Sequence, residues 1–194
     1  MKKLILSLMA AGLFSVPSIT HASVNPYASI SGGLGLMTDS TVNTVDNNAT
    51  YNSGYLINGA IGLKADYAHV EAEVGYHNNN LDTWEGDAAS GSSLSAWSYM
   101  ANLYLDYEIV NTGVTPFLMG GLGLASVHGD DGAGSKTDDS VFAWQVGAGL
   151  SFKAANKVNI DVSYRYFATE DATLGENTLS IASHNIIAGV RFEF

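Results

Sequence analysis

From Val24 to Phe194, apolar and polar side chains alternate with a period of two, the pattern of strands that meet an apolar medium on one face. The last run is the clearest: His184, Ile186, Ala188, Val190, Phe192 and Phe194 share one face, and Asn185, Ile187, Gly189, Arg191 and Glu193 the other. In an earlier run Trp97, Tyr99, Leu103, Leu105 and Tyr107 oppose Ser98, Asn102, Tyr104, Asp106 and Glu108. Eight runs follow this rule, at 25–37, 55–65, 67–78, 94–108, 114–127, 141–153, 157–168 and 183–194. Each is about as long as a tilted strand needs to cross a bilayer. No stretch repeats at 3.6 residues, so no amphipathic helix is expected.

The links alternate in length. Short ones fall near Ala65-Asp66, Ile109 to Gly113 and Ala154 to Asn156; long ones span 38–54, 79–93, 128–140 and 169–182. An even strand count then puts every long loop at one end and both ends of the sheet at the other. The pattern predicts an all-β protein, an eight-stranded antiparallel up-and-down transmembrane β-barrel. Closure leaves no strand edge unpaired, as a bilayer requires. A soluble barrel shares the alternation, but three features favour lipid. Aromatic residues of the apolar face gather in two belts: Tyr76, Trp97, Tyr99, Phe142, Trp144, Tyr164 and Tyr166 towards the long loops, and Tyr107, Phe152, Phe192 and Phe194 towards the turns. The polar face is rich in Gly, Ser and Ala with sparse charges, which suits a narrow interior. The last strand also ends on an aromatic residue. On this reading an arginine at Leu105, if it meets lipid near mid-membrane, costs about 2–4 kcal/mol, and one at Asn102 on the polar face costs less.

The N-terminal residues form a different kind of segment. Lys2-Lys3 precedes an apolar stretch, Leu4 to Val16, ended by Pro17 and followed by Thr20-His21-Ala22. This is the layout of an export signal, giving 1–22 as signal peptide and 23–194 as barrel domain. Export out of a bacterial cytoplasm follows, with the long loops outside the cell and both ends of the mature chain in the periplasm.

Charge narrows the field further. The 194 residues hold 8 basic and 19 acidic side chains, net −11, and removal of the signal leaves 6 against 19, net −13. Phosphate neutralisation needs clustered Lys and Arg, so nucleic acid is excluded as a partner. There is no cysteine, which excludes disulfides, thiolate metal sites and thiol nucleophiles.

The ending Gly189-Val190-Arg191-Phe192-Glu193-Phe194 resembles the terminal signal read by the barrel-assembly machinery, with Gly189, Phe192 and Phe194 at its key positions. Further matches lie at Pro26 to Gly35, Thr115 to Gly123, Phe142 to Leu150 and Val162 to Phe167. Together these resemble the opacity-type, OmpA-like family of small outer-membrane barrels, over the whole of 23–194. The resemblance implies a bacterial outer-membrane location, lipid and lipopolysaccharide as surroundings, the assembly machinery as a partner, a monomer, and a role among adhesins, surface antigens and structural barrels.

Candidate chemistry is sparse. Gly32-Gly33-Leu34-Gly35-Leu36 recurs as Gly120-Gly121-Leu122-Gly123-Leu124, 88 positions on. No helix start follows either copy, so these glycines serve tight packing and not phosphate. The polar face carries Lys64, Glu71, Glu73, Asp106, Glu108, Lys153, Asp161, Arg165, Arg191 and Glu193. Eight strands leave an interior only wide enough for side chains, so these charges are expected to pair as a lumen plug with little conductance, the rival reading being a narrow gated pore. Twelve acids fall in the long loops: Asp39, Asp46, Asp82, Glu85, Asp87, Asp130, Asp131, Asp138, Asp139, Glu170, Asp171 and Glu176. Their spacing fits no calcium loop, and they read as a solvated acidic rim able to meet a cationic or host-surface partner. His77, His128 and His184 are placed near the outer rim. A lipid A-modifying enzyme needs a serine, histidine and acid together, and Ser183 and His184, being adjacent, point to opposite faces. The expectation is a non-enzymatic barrel without catalytic residue, cofactor or metal, displaying acidic loops for surface interaction or envelope integrity.

Overall fold

The computed structural model describes residues 24–38, 40–42, 45–51, 53–84, 87–88, 93–130, 136–170, 172–174, 177–179 and 181–194. The signal segment, 1–22, lies outside them, as do Asp39, Glu85, Asp131, Asp171 and Glu176. The described strands are β1 (Asn25–Met37), β2 (Ser40–Val42), β3 (Val45–Tyr51), β4 (Gly54–Lys64), β5 (Ala68–Trp84), β6 (Asp87–Ala88), β7 (Ser93–Asp106), β8 (Val114–Asp130), β9 (Lys136–Ala155), β10 (Val158–Thr169), β11 (Ala172–Leu174), β12 (Asn177–Leu179) and β13 (Ala182–Glu193). Eight of them close a barrel, each antiparallel to the next: β1, β4, β5, β7, β8, β9, β10, β13 and back to β1.

Period-two alternation sets the wall. Outward positions are apolar and exposed: Ile30, Leu34, Ile57, Ile61, Val74, Leu103, Leu118, Leu122, Val146, Val162 and Ile186. Inward positions hold the buried polar groups, among them Asn58, Glu71, Glu73, Asn102, Gln145, Ser163, Arg165, Asn185 and Arg191. This arrangement, apolar outside and polar within, is the reverse of a water-soluble barrel. The turn-side belt consists of Tyr107, Phe152, Phe192 and Phe194; the loop-side belt includes Tyr55, Tyr76, Trp97, Tyr99, Trp144 and Tyr164. Phe152 and Trp144 lie on one strand, eight positions apart, about 26 Å along it. At a tilt near 40° that spans roughly 20 Å of membrane depth.

Two interior contacts depend on the absence of a side chain. A Cβ at Gly62 would overlap the ring of Tyr27, and one at Gly121 would overlap the Asn102 amide. The two copies of the glycine-rich repeat lie on β1 and β8, fourth neighbours in either direction around the barrel and so on opposing walls. Asn156-Lys157, the shortest turn between two of the eight barrel strands, joins β9 to β10, with Lys157 in the left-handed region at φ 64°.

The membrane-facing spans fall where the alternation predicts them, but the loop-side ends do not. Residues expected in long loops continue as strands: β5 runs to Trp84, β8 to Asp130, and β9 starts at Lys136. β8 and β9 stay in register to the pair Asp130 and Lys136. β2, β3, β6, β11 and β12 extend this part of the wall. The physical reason is that an antiparallel ladder needs only paired backbone groups. Once past the lipid its outward side chains are free to be polar, so hydropathy marks the membrane's thickness and not the strand's length.

Candidate functional site

The lumen contains the chemistry. Glu71 and Glu73 project inward from β5, Asn102 and Tyr104 from β7, Gln145 from β9 and Arg165 from β10. Arg165 donates from Nη1 to Glu73 Oε2 at 2.7 Å and from Nη2 to the Tyr104 hydroxyl oxygen at 3.2 Å. Gln145 donates to Glu73 Oε1 at 3.1 Å and to Asn102 Oδ1 at 2.8 Å. Glu71 accepts from Tyr27 at 3.0 Å, Asn102 at 3.1 Å and Tyr104 at 2.8 Å, all neutral donors. Nearer the turns, Arg191 donates to Ser151 at 2.9 Å and to Asp161 at 3.3 Å. His69 bonds Asp106 through Nδ1 at 2.9 Å, while its Nε2 faces Arg191 Nη1 at 3.4 Å. That geometry assigns the Nδ1 proton to the Asp106 bond and leaves Nε2 as acceptor. Tyr104 stacks on the imidazole, ring centroids 4.0 Å apart.

Of the ten charged residues named from the sequence, Glu71, Glu73, Asp106, Asp161, Arg165 and Arg191 belong to this network. Lys64 and Glu193 meet at 3.8 Å at the turn-side mouth, where Asn159 also donates to Glu193 at 3.0 Å. Glu108 and Lys153 stand apart: both are exposed and line the turn-side mouth. They share the inward phase, but lie beyond the turn-side belt, where the interior opens to water. A cavity of about 30 Å³ lies between Glu71, Glu73, His69, Arg165 and Arg191. That is room for about one or two waters.

A second layer was not legible as a layer. Towards the loops the interior carries an apolar cluster: Ala96, Met100, Ala125, Val127, Val141, Ala143, Phe167 and Ile181 are buried together, with Met37 against them and the buried Asn79, Ser183 and Asn185 on the strands beside them. The expected lining of small residues continues here as Ala96, Ala125, Ala143 and Ser183, whereas the charged groups keep to the turn-side half. Each of these residues except Ile181 occupies an inward strand position, so the period shows their direction but not that they cohere.

The histidines separate. His184 is exposed on the outward face of β13, hydrogen-bonded through Nδ1 to Tyr164 at 2.6 Å and packed 5.1 Å from Tyr166, whereas neighbouring Ser183 is buried inside. His77 was expected at the rim but projects into the lumen, because odd-numbered residues of β5 face inward; it stacks on Phe167 at 5.1 Å. The side chain of His128 lies outside the described set. His69, absent from the sequence-based candidates, carries the same signal, being in phase with Glu71 and Glu73. Among the described residues no group of three or more His, Asp or Glu side chains converges as a metal site. Gly189 is inward on β13, and Phe192 and Phe194 are outward in the turn-side belt; the Phe194 amide donates to Pro26 O at 2.9 Å.

The inside-out barrel finds its counterpart in a known family. The outer membrane protein beta-barrel domain matches residues 6–194. The chain belongs to that family. No curated protein matches its sequence. Neisserial surface protein A superposes with a TM-score of 0.66 at 18% identity, covering 89% of this chain and 99% of that one. The N-terminal barrel of Pseudomonas aeruginosa OprF gives 0.52 at 16%, covering 90% and 100%. The outer membrane protein AlkL gives 0.55 at 16%, covering 93% and 95%. At these identities the likeness shows the fold: a small, closed, eight-stranded barrel of the bacterial outer membrane.

Proposed function

We propose that this protein is a non-enzymatic outer-membrane barrel, closed to solutes at neutral pH, which acts through its loop-side surface. The observation that carries this reading is the filled lumen. The Glu71–Glu73–Arg165 network spans the turn-side half, the apolar layer around Val127 and Phe167 spans the other, and the cavity between the charged groups holds about 30 Å³. An ion would have to displace a buried ion pair and then cross a dry layer. In this reading the loop end faces outside the cell and the turns face the periplasm, where the terminal strand bearing Gly189, Phe192 and Phe194 is offered to the assembly machinery.

The acids of the long loops give the exposed end its character. They favour a cationic surface partner, such as basic peptides or basic host proteins, through a diffuse field and not through one contact. A lipid A-modifying activity is disfavoured by the partners of the two best-placed imidazoles. His184 is paired with a tyrosine on the lipid face, and the His69–Asp106 pair is buried inside the wall. Planar-bilayer recording at neutral pH tests the closed lumen: no conductance steps are expected, and steady open channels would replace this reading with that of a narrow porin. Release of acyl groups from labelled lipid A by the purified barrel would replace it with that of an enzyme.

A further inference from the structure

One titratable side chain stands inside the apolar layer. His77 pairs in register with Leu56 on β4 and Ala96 on β7, and its ring lies on Phe167 with planes 27° apart. Its Nε2 points towards the network side, 3.4 Å from the Ser98 hydroxyl and 3.3 Å from where a Cβ at Gly75 would stand. Around it, β4 contributes Leu56 and Asn58 and β7 contributes Ala96 and Ser98, none of them charged. The charged groups that act on it are Glu73 from its own strand and Arg165 from β10, and these two are already joined to each other at 2.7 Å. No carboxylate forms an ion pair with His77 among the described residues.

A neutral imidazole suits this position: an aromatic face for Phe167 and one edge for a hydroxyl. An imidazolium does not, because a cation in apolar surroundings must be hydrated or paired. With Glu73 committed to Arg165, the available response is hydration. Water drawn to His77 enters beside Phe167 and wets the layer, and a wetted constriction conducts where a dry one does not; the new cation also stands in the field of both Glu73 and Arg165, so it bears on the ion pair that fills the other half. We infer that the barrel has a second activity, an acid-opened path for small ions, with protonation of His77 as its trigger. This rests on the closed lumen at neutral pH and adds the condition under which it opens.

The test is conductance of the full barrel in planar bilayers at pH 7.5 and pH 4.5, with the folded state verified at both by heat-modifiable gel mobility. The wild type is expected to be silent at pH 7.5 and to show a reversible rise of about tenfold or more in ion current at pH 4.5. His77→Gln keeps a hydrogen bond to Ser98 but cannot be protonated in this range, and is expected to stay silent at both. His77→Phe, which packs on Phe167 and cannot titrate, gives the same readout should the glutamine variant fail to fold. A silent wild type at pH 4.5, or an equal rise in both His77 variants, overturns the proposal. A rise that survives His77→Gln but is lost in His69→Gln overturns it too, moving the trigger to the His69–Asp106 pair. Conductance already present at pH 7.5 overturns instead the closed-lumen reading beneath it.

Discussion

Removing one partner of the buried Arg165–Glu73 pair measures how far the lumen network holds the wall together. Arg165→Met deletes two hydrogen bonds, to Glu73 at 2.7 Å and to Tyr104 at 3.2 Å. Glu73 would keep only the Gln145 amide, at 3.1 Å, and its side chain is 5% exposed. Breaking a buried pair from one side typically costs about 3–5 kcal/mol, because an uncompensated charge stays behind. Glu73→Gln removes the carboxylate that Arg165 pairs with, leaving it the Tyr104 hydrogen bond and the field of Glu71. The double variant removes both charges, so its cost should fall short of the sum of the single ones by at least about 2 kcal/mol, within the range of coupled neighbours. Urea unfolding in lipid vesicles, followed by tryptophan fluorescence, reads all four proteins. Single variants each costing under about 1 kcal/mol, or a strictly additive double variant, would refute the reasoning and show that water reaches the pair.

Three further outcomes follow from the same geometry. Leu103→Arg should cost about 2–4 kcal/mol in urea unfolding, since it faces lipid midway between the Trp97 and Tyr107 belts; Leu105→Arg should cost less than that, because it lies two residues from Tyr107 and the penalty falls towards the interface. Asn102→Arg, expected from the polar face alone to cost less than Leu105→Arg, should instead destabilise by roughly 2–5 kcal/mol in the same assay: Asn102 is 3% exposed and seated on Gly121, so the substitution overpacks the lumen and removes a donor to Glu71. Replacing Asp130, Asp131, Asp138 and Asp139 together by Asn and Ser should leave heat-modifiable mobility unchanged and weaken binding of polylysine, most at low salt; a single substitution that abolishes binding independently of salt would mean a specific site.

The sequence made the wall legible and the interior only partly so. β1 occupies the 25–37 predicted for it, because lipid contact imposes an apolar residue at every second position there. The same rule fixes inward direction, and it places Glu71, Asn102 and Arg165 correctly. It says nothing about depth. Leu105, taken as a mid-membrane position, lies close to the turn-side belt. His77, taken as a rim residue, stands level with Ala96, inside. Nor does a period of two distinguish an inward Val127 that packs from an inward Ser that is merely small; that depends on β7, β8, β9 and β10, with Met37 of β1, meeting at one height. The strand ends beyond the membrane were hidden for the opposite reason. Water demands no side-chain pattern of a paired backbone.

That last point has a mechanical consequence. β9 is 20 residues long, about 66 Å at strand rise, and only the stretch between its aromatic belts needs the bilayer. Its far part, paired with β8 as far as Asp130 and Lys136, therefore works as a stalk standing clear of the headgroups. A hydrogen-bonded ladder sweeps a smaller volume than a slack loop of the same length, so its direction survives changes in its side chains. Positions towards the Asp130 and Lys136 pair are thereby decoupled from membrane insertion, and can change without disturbing the ring of strands that closes below.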